Sequence, residues 1–531
     1  MKKNVIALLS VVLAMAMLIC ACSGKTESQQ TSTTTTDNTA GTSTGEPTSK
    51  QIDRPLHFRI KTEADTLDPH KTSGTGDPQT VQYQVYESLF REEVTGEVVP
   101  ALAESYSFNA DNTEMTLQLR KDVTFHDGTP MTADDVVFSL NRSMSTGYNG
   151  VYVDAIKAVE KVSDYEVKVI LKYAYTPVVS CLSSLSTAIV PKAYVEKNGD
   201  DILSRQPMGT GAYQFVSWTS GTEIVFKAYE NYWRGKAAIT DLIFDVIADN
   251  NTSIISLETG DIHLDVNLST SSIPTIEANP DLVEYSGEKA SMMLFSFNNK
   301  SGIFSDVRMR QAIYYCIDRQ AIIDTCLNGR GTVTEACMLR MLDEYPDDFK
   351  VVGRDVEKAK QLVAEAGYPN GVTVVAATID NNTYKNPTVM LQEQVKDAGI
   401  NLQIELSARA AWNEKVITNT DYDITCWAIP VTTLDADFAA SKFYGPLCNG
   451  GGNFSNCDIP EIDALIEKGR ITEPGAERND IYRQFCELIR DNAVVCPIYT
   501  STREAAAVKA LGGFQTSSTS HYFVYDYYWV E

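Results

Sequence analysis

Few residues in this chain are placed to do chemistry. Histidine, the usual general base and metal ligand, occurs five times, at 57, 70, 126, 263 and 521. A hydrolase needs a nucleophile beside such a base, and no histidine lies in a nucleophile or zinc-protease motif. His57 sits in a strand pattern and His126 in a turn. Paired acids such as Asp134-Asp135 follow Thr132 at the start of an apolar-periodic stretch, where acids suit a helix N-terminus. There is no GxxxxGK[ST] loop for nucleotide phosphates and no Cys/His set at zinc spacing. The sequence calls for no catalytic residue, cofactor or metal, so an enzyme is not expected.

Cysteine carries one chemical signal. Lys2 and Lys3 precede an apolar run from Val5 to Ile19, too short and too N-terminal for a spanning helix, which reads as a signal peptide. The run ends Ile19-Cys20-Ala21-Cys22, which resembles a bacterial lipobox with Cys22 as the lipidated residue. Residues 1–21 are therefore expected to be removed. Residues 22–54, rich in Ser and Thr, bury too little apolar surface to fold and are expected to form a flexible tether. Beyond Cys22 nine cysteines remain, an odd number, so at least one is free or pairs between chains. Most read as small buried apolar residues; Cys448 and Cys457 could close a short disulfide loop.

The remaining chain is long enough for several folding units, and its net charge of −25 argues against nucleic acid as a partner. Strands are expected at 56–60, 115–120, 123–125, 164–171, 224–228 and 242–247, with a turn and strand over 209–217. Helices are expected over 80–90, from Thr132 and over 250–259 before Gly260. An apolar strand at 292–297 precedes helices from Asp306 and over 319–327. From about 355 the pattern alternates: helix 355–366, strand 372–378, helix 387–398, strand 401–406, helix 411–418, strand 423–427. Such alternation implies an α/β layer with parallel pairing. Helices at 459–470 and 476–491 and strands at 495–499 and 505–508 complete the chain.

Five blocks of residues point to one family. They are Pro100–Tyr106 with Met115–Ser139, Gly209–Val216 with Tyr232-Trp233-Arg234-Gly235-Lys236, Phe297-Asn298-Asn299 with Phe304–Ile322, Asn453-Phe454-Ser455 with Glu461–Ile466, and Ala493–Tyr499. In order and extent the chain resembles the family 5 extracellular solute-binding proteins of oligopeptide, dipeptide and nickel importers. The resemblance implies an α/β, two-lobed, periplasmic-binding-protein-like (type II) fold with an extra inner subdomain in lobe I. Lobe I would hold 55–288, with the inner subdomain about 90–190; lobe II would hold 289–496, and 497–531 would return to lobe I. It also implies a monomer that captures a small solute between the lobes, expected to be a peptide, and passes it to the permease and ATPase subunits of an ABC importer. The lipid on Cys22 would hold it on the outer face of the cytoplasmic membrane. A nickel chelate, an oligosaccharide, or a signalling or adhesion role on the same fold are the alternatives.

The resemblance places Ser73, Gly74 and Thr75 in the cleft, with Trp427 at its wall followed by Ala428, Ile429 and Pro430. Peptide-binding members carry an Asp three residues after that Trp, which pairs with the peptide's α-ammonium; Pro430 stands there instead, leaving Asp435 or Asp437 as substitutes. Further ligand candidates are Asn381, Asn382 and Tyr384 after a lobe II strand, Trp412, Met293 on the first crossover strand, Tyr499 on the second, and Tyr148 and Tyr152.

Overall fold

The computed structural model describes residues 54–72, 76–148, 150–350, 352–431, 433–449 and 452–531. The expected signal peptide, Cys22 and tether, and the cleft candidates Ser73, Gly74 and Thr75, lie outside these residues.

Eleven strands form one mixed sheet. Numbered along the chain they are β1 (Leu56–Ile60), β2 (Tyr213–Thr219), β3 (Glu223–Ala228), β4 (Asp241–Val246), β5 (Leu264–Asp265), β6 (Leu282–Phe297), β7 (Gly331–Val333), β8 (Val372–Ile379), β9 (Ile400–Ser407), β10 (Ile424–Pro430) and β11 (Val495–Val508). Their order is β9-β8-β10-β6-β11-β5-β1-β4-β3-β2, with β7 added on β11. Two parallel regions flank the centre: β1 pairs parallel with β4 and β5, and β8 with β9 and β10. Between them β6 and β11 run antiparallel from Leu282↔Val508 to Ser296↔Val495, with register shifts between Glu288 and Met292 and between Met293 and Leu294. Each is longer than the sequence pattern suggests. The segments 495–499 and 505–508 are one strand because Thr500–Glu504 keep pairing with β6, and Ser501–Tyr499 also with β7.

A separate four-stranded antiparallel sheet joins Ala103–Phe108, Glu114–Leu119, Ile156–Ser163 and Glu166–Leu171. The helix Ala133–Ser145 covers it, started by a reciprocal cap between Thr132 and Asp135. The helix expected over 80–90 ends at Gln82. The carbonyls that a longer helix would use are taken by tertiary partners: Gln84 by Tyr213 N–H at 2.9 Å, Val85 by Gly211 N–H at 2.8 Å and Glu87 by Ile189 N–H at 2.9 Å. Gly209 and Gly211 allow this approach, since a Cβ would stand 2.2 Å from the Val85 carbonyl oxygen at Gly209 and 2.6 Å from that of Gln84 at Gly211. All nine described cysteines are free, including Cys448 and Cys457, so the expected loop disulfide is not formed.

The Leu67-Asp68-Pro69-His70 turn is held by buried charge. Arg142 donates to both Asp68 oxygens at 2.9 and 2.6 Å, to His70 Nδ1 at 3.0 Å and to Asp200 at 2.7 Å. His70 Nε2 lies 2.8 Å from the Ala188 carbonyl and donates to it. Burial, then the Arg142 charge, pushes the His70 pKa down to about 4 from 6.5, so the folded ring is neutral. The unfolded chain therefore binds this proton first as pH falls. The stabilisation is whole above pH 6.5, drains away between 6.5 and about 4, and is gone below that. Thermal unfolding against pH should show a loss of about 3 kcal/mol from this residue across that window, and His70→Gln should flatten that part of the profile.

Candidate functional site

The centre of the molecule lies where β6 and β11 pass from one half of the sheet to the other. At the break in register, Ala290 N–H donates to the Ser518 carbonyl at 2.9 Å, and its own carbonyl accepts from Val431 N–H at 2.8 Å. One residue of β6 thus ties the 517–521 segment to the chain that leaves β10. The buried Glu92 carboxylate makes a second tie, accepting from Leu434 N–H at 3.3 Å and from the Thr519 hydroxyl at 2.7 Å. Further out, Thr176 N–H donates to the Arg470 carbonyl at 2.9 Å, the Tyr175 hydroxyl donates to Asp437 at 3.2 Å, and Tyr152 packs on Phe438 at 5.7 Å between ring centroids. The segments expected to face one another across a cleft are drawn together here.

Trp427 is the sequence candidate best placed for recognition. It lies opposite Leu294 on β6, is 6% exposed, and packs on Phe454 at 4.4 Å between centroids. Its indole N–H is buried and has no acceptor among the described residues, and the Thr433 hydroxyl six residues on is also buried without a partner. Buried donors are normally satisfied, and an orphaned one costs about 1–3 kcal/mol, which makes these two candidates for contact with a ligand. Beyond Thr425, β10 has no ladder partner on the side away from β6 among the described residues, while Cys426 and Ile429 remain fully buried.

The other candidates divide. Ala428 pairs with Met293, which in turn faces Tyr499 on β11, so these three leave the sheet on the side opposite to Trp427. Met293 and Tyr499 are 5% and 2% exposed and belong to the core under the helices Val307–Cys316 and Arg319–Leu327. They cannot line the same wall as Trp427. Trp412 is a core residue rather than a platform: it is 1% exposed, and its N–H donates to the Thr425 hydroxyl at 3.0 Å and to the Ala377 carbonyl at 3.3 Å. Asn381 caps the helix Asn382–Val395 through Thr383 N–H at 2.9 Å, Asn382 is exposed, and Tyr384 accepts from Arg409 at 3.2 Å. Ile429 is buried opposite Met292, Pro430 is exposed at the strand end opposite Ser291, and Tyr148 is exposed.

Asp435 and Asp437, the candidate substitutes for the α-ammonium anchor, already have cationic partners. Asp435 Oδ1 accepts from Asp437 N–H at 2.8 Å, capping the helix Ala436–Ala440, and from Arg478 at 2.7 Å. Arg478 is 3% exposed and also pairs with Glu344. Asp437 accepts from Arg470 at 2.8 Å and from Tyr175, and burial holds its carboxyl above the usual range. Neither offers a free carboxylate.

The profile of "Bacterial extracellular solute-binding proteins, family 5 Middle" matches residues 97–451. The chain belongs to this family. Over 567 aligned positions it is 25% identical to the oligopeptide-binding protein AppA of Bacillus subtilis, covering 100% of this chain and 99% of the relative. It is 26% identical to heme-binding protein A of Haemophilus influenzae, covering 82% and 85%. The solved structure of the binding protein AgaA with agropinic acid, from A. tumefaciens R10, superposes with a TM-score of 0.77 at 28% identity, covering 90% of this chain and 99% of that one. The fold is the two-lobed type II solute-binding architecture. Three relatives with three printed ligands show that the family does not fix the solute.

Sequence reasoning missed Glu92 and Thr433, which look like ordinary polar loop residues. Asp435→Ala should cost about 3 kcal/mol in urea unfolding, since it strips a buried guanidinium of one of its two carboxylates. Solute affinity should be unchanged, which separates a structural acid from a ligand anchor.

Proposed function

We propose that this solute-binding protein captures peptides between the two halves of its sheet and delivers them to the permease of an ABC importer, without catalysis. In this reading Cys22 carries a lipid that holds the protein, as a monomer, at the outer face of the cytoplasmic membrane. The boundaries proposed for the lobes fall at residues 288/289 and 496/497, close to where β6 slips in register. Closure about such a point is a hinge motion.

Kinship carries the peptide assignment, since the relative AppA is an oligopeptide-binding protein. Where β10 loses its ladder partner beyond Thr425, an extended peptide can add main-chain hydrogen bonds once the halves part, giving affinity whatever its side chains. The Trp427 indole N–H lies on this stretch and the Thr433 hydroxyl shortly after it, both buried without a partner among the described residues. Pro430 supplies neither a carboxylate nor an N–H where related peptide binders hold the α-ammonium, and Asp435 and Asp437 are engaged elsewhere. The peptide is then held by its backbone and not by its amino terminus.

This sets a specific expectation for thermal-shift or calorimetric titration with short peptides. Free and N-acetylated peptides should bind within about threefold of each other, because no unpaired carboxylate greets the amine. A ligand present at 100 times its Kd stabilises by about 2.7 kcal/mol, a readily measured rise in Tm. Trp427→Phe should weaken peptide binding about tenfold by removing one desolvated donor. A response to another solute class with none to any peptide would end the assignment.

A further inference from the structure

The helix Pro460–Ile471 ends beside the opposite half of the molecule. The last four carbonyls of a helix have no partner within it and must find donors elsewhere. Here the Thr472 hydroxyl turns back onto the Lys468 carbonyl at 2.8 Å, and Arg478 Nε donates to the Gly469 carbonyl at 3.2 Å. The Arg470 carbonyl is served by Thr176, 294 positions earlier in the chain. The Thr176 N–H donates to it at 2.9 Å and the Thr176 hydroxyl at 3.1 Å, and that hydroxyl also lies 3.4 Å from the Thr472 carbonyl. A residue beside the inner four-stranded sheet thus caps a helix of the other half.

Tyr175 lands on the same residue by another route. Its hydroxyl donates to Asp437 Oδ2 at 3.2 Å, and Arg470 Nε holds Asp437 Oδ1 at 2.8 Å. Neighbouring residues of one half therefore close on the carbonyl and, through Asp437, on the guanidinium of a single arginine of the other. Tyr175 is 7% exposed and Asp437 4%, so their bond is made out of water, where a hydrogen bond to a charged group counts for most. Each side is braced within its own half. Tyr173 packs edge-on against Tyr175 at 5.9 Å between centroids, and the Arg470 guanidinium lies 4.7 Å from the centre of the Tyr444 ring. At the surface, Asn112 adds a third crossing bond to Glu473 at 3.0 Å.

We propose that Tyr175 and Thr176 form a clasp on Arg470 and Asp437 that keeps the two halves shut and so sets how long a captured solute stays. The inference rests on solute capture between the halves and adds what governs its duration. The clasp bonds protein to protein, so it slows the release of every solute by the same factor and selects among none. Water takes the place of these bonds when the halves part, so each hydroxyl contributes a factor of about five to ten and the clasp remains reversible.

The test compares wild type with Tyr175→Phe and Thr176→Val, which each remove one hydroxyl and keep the shape of the side chain. Stopped-flow tryptophan fluorescence follows the release of tri-alanine, N-acetyl-tri-alanine and tri-lysine. Tyr175→Phe should speed release about tenfold and Thr176→Val about fivefold. For either substitution the factor should agree within about twofold between peptides, because groups without shared partners act independently. On the empty protein, hydrogen exchange should find the Thr176 amide protected in wild type and less protected in both variants.

Release at the wild-type rate from both variants overturns the clasp and leaves peptide capture standing. A lowered Tm with unchanged release does the same, since it marks the pair as packing alone. A factor that differs between peptides shows that the pair touches solute, and the proposal fails. If no peptide binds wild type, the peptide reading ends and the Thr176 amide decides: protection lost in both variants keeps the clasp, whereas protection absent from wild type or unchanged in the variants overturns it.

Discussion

Everything in this molecule depends on the antiparallel pairing of β6 with β11. No other strand pair reaches from one half of the sheet to the other. β1–β5 build outward from the Leu282–Val508 end and β7–β10 from the Ser296–Val495 end. A backbone ladder of this length is rigid along its axis and soft only where register slips, and it slips beside Glu288 and Met292. Ala290 sits in that gap and spends both of its backbone groups on segments from opposite sides. The covalent continuity between the halves, the slip in register and the Ala290 ties therefore coincide.

Polar accounting then separates scaffold from site. The Arg142–Asp68–His70 and Arg478–Asp435–Glu344 groups are buried, mutually paired and fully used. They fix the turn before the helix Asp77–Gln82 and the segment after β10, the two pieces of chain that frame the cleft. Trp427 and Thr433 are the opposite case: among the described residues their polar atoms are removed from water and given no partner. A scaffold gains nothing from such groups, whereas a protein that must release its cargo can store part of its binding energy in them. Solute then supplies what folding withheld.

The sequence made much of the fold readable and little of the site. Period-two and helical patterns marked β1, β3, β4 and the helix Asn250–Thr259 almost to the residue, because each buries one face against one neighbour. The helix expected past Gln82 failed because distant amides claim its carbonyls, a fact that lives only in three dimensions. Trp412 and Trp427 look alike in sequence. One spends its N–H on Thr425 and Ala377 and the other has no acceptor among the described residues, so the same residue type fifteen positions apart is fully bonded in one case and a site candidate in the other. Asp435 looked like a spare acid because Arg478 is far along the chain.

The Ala290 relay has a mechanical consequence. Separating the halves would strain two backbone hydrogen bonds anchored on the N–H and the C=O of one residue, one toward Ser518 and one toward Val431. Closure is then less like two jaws meeting than like a zipper with its slider at Ala290. The contacts at Tyr152, Tyr175 and Thr176 join the same halves away from the slider, so parting the halves releases them as a set while the backbone ladder beneath stays whole.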